Sequence, residues 1–257
     1  MNPTSPFDLT GQVAIVTGSS KGIGRSIAEN MAQAGARVVI SSRKEGPCIE
    51  VAAAINENGG EAVAIRANVG KHEDLQNLVS ECRKKLGKIG ILVCNAAANP
   101  YYGPLADISD AAYHKTMDTN ILSVIRLCGL VRQDMVELGG GSMIVVSSVG
   151  ALKATEVLGA YAISKAADVS LVRHLAVEWG KHNIRINGLL PGLVKTDFAR
   201  ALWDNPEAEE MTKTRYPLRR LGEPDDLGPA AVFLASRAGA WMTGQSLIID
   251  GGELLAR

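Results

Sequence analysis

Short apolar runs alternate with longer amphipathic stretches from one end of the chain to the other, and this rhythm restricts the fold more than any other feature. The runs are Val13–Thr17, Arg37–Ser41, Glu61–Arg66, Ile91–Cys94, Met143–Ser147, Ile184–Leu190 and Ser246–Ile249. Several are continuously apolar, such as Met143-Ile144-Val145-Val146, the pattern of strands covered on both faces. Between them Ile23–Ala34, Gly46–Asn58, Glu73–Leu86, Asp110–Glu137, Ala160–Lys181 and Asp225–Ala235 read as helices. Gly35, Gly59-Gly60, Gly87 and Gly139-Gly140-Gly141 follow the first four of these in turn, where C-terminal glycines belong. Repeated βαβ units predict an α/β fold of Rossmann type, a doubly wound parallel sheet of about seven strands with helices on both faces. No repeat, low-complexity tract or linker interrupts the rhythm, so residues 1–257 are expected to form a single domain.

Charge and cysteine usage narrow the function classes. The 27 Lys and Arg balance 27 Asp and Glu, which excludes nucleic-acid binding driven by a basic excess. Cys48, Cys82, Cys94 and Cys128 lie far apart with no CxxC, as expected of reduced thiols in a cytoplasmic protein. Met1–Thr10 lacks the features of a signal peptide, and no stretch approaches ~18 uninterrupted apolar residues, so no membrane partner is expected. Pro191 to Glu223 carries no clear strand. An insertion of that length in a compact domain reads as a substrate lid, at about 193–221.

Val13-Ala14-Ile15-Val16-Thr17 runs directly into Gly18-Ser19-Ser20-Lys21-Gly22-Ile23-Gly24, and a helical stretch follows. Glycines at 18, 22 and 24 let the backbone turn tightly and approach a pyrophosphate that meets the helix N-terminus. The spacing is GxxxGxG rather than GxGxxG, and its strand–turn–helix setting is what points to a dinucleotide. An acidic residue ending the second strand would favour NAD(H), but this chain has Ser41-Ser42-Arg43-Lys44 there. Arg43, with Lys21 from the glycine turn, suits a 2′-phosphate, so NADP(H) is expected in preference to NAD(H).

Tyr161-Ala162-Ile163-Ser164-Lys165 places a phenol and an ammonium on one helix face. A free tyrosine holds its proton up to a pH of about 10. A neighbouring ammonium favours the phenolate, which makes such a pair a usable acid and base. Upstream, Ser148 follows the apolar run Met143–Ser147, at the strand C-terminus where a doubly wound sheet keeps its ligand crevice. Alternation along the strand turns the adjacent Ser147 the other way.

Taken in order, these motifs resemble the short-chain dehydrogenase/reductase family over nearly the whole chain. They are Thr17-Gly18-Ser19-Ser20-Lys21-Gly22-Ile23-Gly24, Cys94-Asn95-Ala96-Ala97, Asn120, Ser147-Ser148, Tyr161-Ala162-Ile163-Ser164-Lys165, Pro191-Gly192-Leu193-Val194-Lys195-Thr196 and Asp250-Gly251-Gly252. Asn95-Ala96-Ala97-Ala98-Asn99-Pro100, the Pro191–Thr196 motif and Arg219-Arg220-Leu221-Gly222-Glu223-Pro224 are similar to its NADP-dependent carbonyl reductase/retinol dehydrogenase branch. The resemblance implies a tetrad. Tyr161 would exchange a proton with the carbonyl or alcohol oxygen, and Ser148 would hydrogen-bond that oxygen. Lys165 would favour the Tyr161 phenolate and hold the nicotinamide ribose. Asn120, in a local helix break, would hold a water relaying protons to Lys165. Thr196 and the Val194 backbone would fix the carboxamide, and Asn95 would brace the sheet beside the cofactor. Gly18, Ser20, Lys21, Gly22, Ile23, Gly24, Ser42, Arg43, Asn68, Val69, Ala96, Pro191 and Gly192 complete the implied cofactor contacts.

Two positions depart from the family pattern. Its usual Asn-Asn-Ala-Gly is Cys94-Asn95-Ala96-Ala97 here, and its usual Asp-Val is Asn68-Val69. An Asn carbonyl still accepts a hydrogen bond from an adenine amine. The implied activity is interconversion of a ketone or aldehyde and an alcohol, with a small-molecule substrate and a homotetramer packed through the two longest helices. The same tetrad would serve a 3-oxoacyl-thioester (acyl-carrier-protein) reductase. A non-catalytic dinucleotide-binding regulator is the alternative of another class, and Asn120, Ser148, Tyr161 and Lys165 together argue against it. His174, Glu178 and His182 repeat at metal-like spacing, but the helix is expected to end near Gly180, and no metal is expected. Tyr101, Tyr102 and Trp203 are candidates for the substrate pocket, and Cys94 reads as a buried thiol.

Overall fold

Ile15 and Leu92 pack on one face of a central sheet while their neighbours Ala14, Val16, Ile91 and Val93 pack on the other, all of them buried. Side chains alternate along a strand, so apolar runs of this kind require cover on both sides. The computed structural model describes residues 5–255. Strands β1 (Val13–Thr17), β2 (Arg37–Ser41), β3 (Glu61–Ala64), β4 (Ile91–Cys94), β5 (Gly141–Val146), β6 (Ile184–Pro191) and β7 (Ser246–Ile249) pair in the order β3-β2-β1-β4-β5-β6-β7. Every pairing is parallel. The helices are α1 (Gly22–Gln33), α2 (Glu45–Glu57), α3 (His72–Leu86), α4 (Asp110–Met117), α5 (Ser123–Glu137), α6 (Gly159–Trp179), α7 (Pro206–Arg215) and α8 (Gly228–Ala235).

One core holds Leu75 and Leu78 of α3, Leu127 and Val131 of α5 and Val172 of α6 against Ile15, Leu92 and Ile186. The other holds Ile27 and Met31 of α1, Ile55 of α2 and Leu234 of α8 against Val16, Val38 and Ile144. This is the doubly wound, Rossmann-type sheet that the sequence rhythm predicts. Strand order reverses between β1 and β4, and ligands of such sheets bind at the carboxyl ends beside that switch.

Several boundaries differ from the sequence expectation. Asp110–Glu137 is two helices joined by a π-helical turn, Asp118–Leu122. β3 stops at Ala64 rather than Arg66, although the Ile65 and Ala67 amides still donate to Ile40 and Ser42. Asp225–Ala235 opens with a 3-10 turn, Pro224–Asp226, capped by Glu223, before α8 starts. The strandless stretch after β6 contains a 3-10 turn (Asp197–Leu202) and α7, and a parallel bridge between Val194 and Gly222 draws its two ends together. No helix among the described residues is long and apolar enough to cross a membrane.

Candidate active site

The carboxyl ends of β1, β2 and β4 are tied to one another through the glycine turn. Thr17 Oγ1 accepts from the Asn95 and Ala96 amides at 3.0 and 3.1 Å, and Asn95 Nδ2 donates to the Thr17 and Gly18 carbonyls at 2.9 and 3.2 Å. The packing is close enough to demand glycine. Gly18 has φ +67°, and a Cβ on Gly24 would fall 2.4 Å from Asn95 Nδ2 and 2.5 Å from Gly18 O. Ser19 Oγ donates to the Val16 carbonyl at 2.6 Å and accepts from the Ser41 amide at 2.9 Å, which brings the end of β2 alongside. α1 begins at Gly22 without a side-chain cap, so no capping side chain claims its first amides. That is the donor set an anion takes at a helix N-terminus.

The predicted cofactor residues are placed around this turn. Arg43 is exposed just beyond β2, and Ser42 Oγ donates to the Lys44 carbonyl at 3.1 Å. Asn68 Oδ1 accepts from the Gly70 amide at 3.1 Å, while the Val69 side chain is buried in the core and leaves only its backbone for a ligand. Lys21 pairs with Asp197 across the turn, Nζ to Oδ2 2.8 Å, with both side chains more than half exposed. Thr196 is brought over the turn, its Cγ2 3.2 Å from where a Gly22 Cβ would stand, and its Oγ1 accepts from the Ala199 amide. Pro191 and Gly192 close β6 beside β7, the Gly192 amide donating to Ile249 at 3.0 Å.

β5 and α6 carry the second cluster. Ser147 is buried with its Oγ donating to the Lys165 carbonyl at 2.8 Å. Ser148 points differently, its Oγ accepting from the Gly150 amide at 3.0 Å. A serine hydroxyl that accepts keeps its own proton free to donate. Tyr161, in the first turn of α6, has its ring centroid 5.7 Å from Lys165 Nζ and 6.0 Å from the ring of Phe198. Lys165 is 3% exposed, and its Nζ donates to Val146 O at 2.9 Å and Asp168 Oδ2 at 3.1 Å. Burial pulls the ammonium's pKa down, but Asp168, Tyr161 and Cys94 together outweigh it and hold Lys165 above the ordinary lysine value. Asn120 sits in the π-helical turn, where its Nδ2 donates to Ala98 O at 3.0 Å and Ser164 Oγ at 2.9 Å, and its Oδ1 accepts from the Ala98 amide at 2.8 Å. Both N–H groups of the side chain are therefore engaged by protein.

A family model described as enoyl-(acyl carrier protein) reductase matches residues 18–253. The human protein named dehydrogenase/reductase SDR family member 4 is 40% identical over 244 residues, which cover 95% of this chain and 88% of that protein. The chain belongs to the short-chain dehydrogenase/reductase family. As such it is an oxidoreductase of the alcohol–carbonyl couple. Among solved structures of the family, a gluconate 5-dehydrogenase from Burkholderia cenocepacia J2315 in complex with NADP and tartrate superposes with a TM-score of 0.94 at 33% identity, covering 99% of both chains. A 7 alpha-hydroxysteroid dehydrogenase complexed with NADH and 7-oxo glycochenodeoxycholic acid superposes with a TM-score of 0.94 at 37% identity, covering 98% of both chains.

Two side chains of this short-chain dehydrogenase/reductase stand in the cluster without a motif to announce them. Phe198 lies against Tyr161 from the stretch after β6, and Asp168 lies under Lys165. A lone carboxylate between Ala167 and Val169 on a helix was the available signal for the second. The aromatic candidates are placed less simply. Trp203 Nε1 donates to the Thr196 carbonyl at 3.1 Å, which folds the indole back onto the base of its own segment. Tyr101 donates to Pro104 O at 3.0 Å within its own loop, and Tyr102 is exposed. Cys94 is buried, and its hydrogen bond with Cys128, then burial, push its thiol well above the usual range. Among the described residues no group of three or more His, Cys, Asp or Glu side chains could hold a metal ion.

Proposed function

We propose that this chain interconverts ketones or aldehydes with alcohols, using NADP(H) in preference to NAD(H), with Tyr161 as the proton-exchanging group. The observation that carries this reading is Tyr161 held beside the buried ammonium of Lys165, while Ser148, just past the end of β5, keeps a hydroxyl proton to donate. In the reducing direction Tyr161 gives its proton to the carbonyl oxygen and Ser148 donates a hydrogen bond to the same atom. The positive charge of Lys165 favours the phenolate left behind. In the oxidising direction the phenolate takes the alcohol proton. Asn120, with both side-chain N–H groups engaged, serves the proton route as a brace between the post-β4 loop and α6.

The residues fit a dinucleotide. The uncapped start of α1, the glycine cradle against Asn95, and the Ser41–Lys44 segment free of carboxylates supply donors and room where a pyrophosphate and a 2′-phosphate need them. When bound, the nicotinamide supplies or accepts the hydride. One structural neighbour holds NADP and another NADH, so the preference rests on this chain's own Arg43 and Lys21. We further read the segment at about 193–221 as the substrate lid, with Phe198 bringing an apolar wall to Tyr161. Leu122, Ile125, Ile163 and Val177, exposed along the α4–α5 and α6 faces, support a homotetramer packed through those helices.

Purified protein is expected to oxidise NADPH faster than NADH when given a panel of ketones and aldehydes. Replacing Tyr161 with Phe should lower turnover by roughly 10²–10⁴-fold with NADPH binding nearly unchanged. Full activity in Tyr161→Phe would remove Tyr161 from the chemistry. NADPH binding without turnover on any carbonyl would leave a dinucleotide-binding protein that is not this enzyme.

A further inference from the structure

Beneath the tyrosine–lysine pair lies a carboxylate that the proposed chemistry does not use. Asp168 follows Lys165 by three residues on α6 and is 1% exposed. Its Oδ2 accepts from Lys165 Nζ at 3.1 Å, and its Oδ1 is buried with no hydrogen-bond partner. Burying a carboxylate with one oxygen unpaired is unfavourable on its own account, and a neutral residue would fill the same place in a helix interior at less expense.

The surroundings explain what the carboxylate does for Lys165. The end of β5 brings the Ser147 hydroxyl toward Asp168, the end of β4 brings the Cys94 thiol, and α5 brings Cys128 against Cys94. The π-helical turn presents the neutral Thr119 and Asn120 as its buried side chains, and α6 itself adds Tyr161. Cys94 stays a protonated thiol for the reasons given above. Burial pushes the Asp168 carboxyl above its ordinary value, but the Lys165 ammonium 3.1 Å away opposes that rise, which makes Asp168 the counter-charge among these groups. A buried lysine without a counter-charge gives up its proton, because desolvation disfavours the ammonium by as much as 3–5 pH units. Lys165 instead remains above the ordinary lysine value, with Asp168 the largest of the causes acting in that direction. An ammonium has three N–H donors. Val146 O takes one and Asp168 another, which aims the third away from both.

We infer that Asp168 is the positioning residue of this site: its carboxylate keeps Lys165 charged and, with the Val146 carbonyl, orients the ammonium that faces Tyr161. This rests on the reading of Tyr161 as the proton-exchanging group, and the experiment separates the two. Phenolate absorbance is titrated in the full-length wild-type protein and in Asp168→Asn, each read by difference against its own Tyr161→Phe counterpart. The Asn side chain keeps the shape and removes the charge. Two opposite effects follow from that removal. Loss of the anion directly favours the phenolate, but loss of the Lys165 proton disfavours it, and the second dominates because Asp168 touches Lys165 rather than Tyr161.

The expected result is a Tyr161 phenolate transition at least about one pH unit higher in Asp168→Asn, with the ascending limb of alcohol oxidation moving the same way. A transition that stays put or moves lower in a folded variant overturns the inference. If Asp168→Asn does not accumulate folded, Asp168→Ser leaves room for water in the carboxylate's place and is read identically. Full turnover in Tyr161→Phe would defeat the proposed chemistry while leaving the absorbance comparison, and so the role of Asp168, decided on its own.

Discussion

Lys21 on the glycine turn and Asp197 at the foot of the segment after β6 form an ion pair, 2.8 Å from Nζ to Oδ2, between residues 176 positions apart. The hydrogen bond from Lys21 holds the Asp197 carboxyl below its ordinary range. Lys21 is one of two cations assigned here to a 2′-phosphate, and it cannot serve both anions at once. Exposed pairs of this kind are weak, so the contact can exchange. Replacing Asp197 with Ala should therefore lower the Michaelis constant for NADPH by roughly two- to fivefold and leave that for NADH unchanged. Equal changes for both cofactors would show that the pair acts on the segment's position and not on phosphate recognition.

Arg43 has no such competitor in the ion pairs of the described residues, and it stands exposed just past β2. A guanidinium on a phosphate makes charge-assisted, often bidentate hydrogen bonds. Arg43→Ala should raise the Michaelis constant for NADPH by about tenfold or more, with little effect on NADH, as measured by initial rates with both cofactors. A parallel rise for both would remove Arg43 from 2′-phosphate recognition.

How much of this was legible beforehand follows from where the information lies. Central strands such as β1 and β5 are apolar on both faces, so continuous runs in the sequence mark them with little ambiguity. The edge strand β3, partly exposed, ends two residues earlier than its apolar run suggested. The π-helical turn at Asp118–Leu122 contains no proline or glycine to betray it, so only the family resemblance signalled a break at Asn120. α7 is largely polar, without an apolar stripe to set a period. Tyr161, Lys165 and Ser148 were readable because helical spacing and a strand end place them. The partners Phe198 and Asp197 were not, because a side-chain contact across the fold leaves no periodic trace, whereas Asp168 stands three residues after Lys165 on the same helix and its spacing was open to view.

Gly24 tests the packing that holds the glycine turn in place. Its φ is ordinary, so an alanine there meets no backbone strain; the obstacle is the 2.4 Å approach to Asn95 Nδ2 and the 2.5 Å approach to Gly18 O. Backbone cannot yield as a flexible side chain does. Gly24→Ala should destabilise the protein by about 1–3 kcal/mol, seen as a lower urea midpoint. NADPH affinity should fall as well, because relief of the clash has to come from moving the turn. An unchanged midpoint together with unchanged NADPH affinity would mean that the cradle is looser than these distances imply.

The buried thiol of Cys82 provides a test at alkaline pH. Cys82 packs in the core between α3 and the sheet, and burial, followed by the Asp134 charge, pushes its pKa from 9.0 up to about 12. The unfolded chain ionises this thiol near 9 while the folded protein does not, so the unfolded state binds fewer protons above that pH. The stability that Cys82 contributes is thus complete below about pH 9 and is lost as pH rises toward about 12, at about 1.4 kcal/mol per pH unit in between. Urea unfolding at pH 7, 9, 10 and 11 should show a steep alkaline decline in the wild type. Cys82→Ala should start lower at pH 7 by about 1 kcal/mol, because it leaves a small cavity, but should decline less steeply above pH 9. The two curves would approach each other and cross if the cavity term is the smaller. Parallel curves across the whole range would show that another group, such as the buried Tyr216, whose hydroxyl burial also raises to about 12, accounts for the alkaline loss.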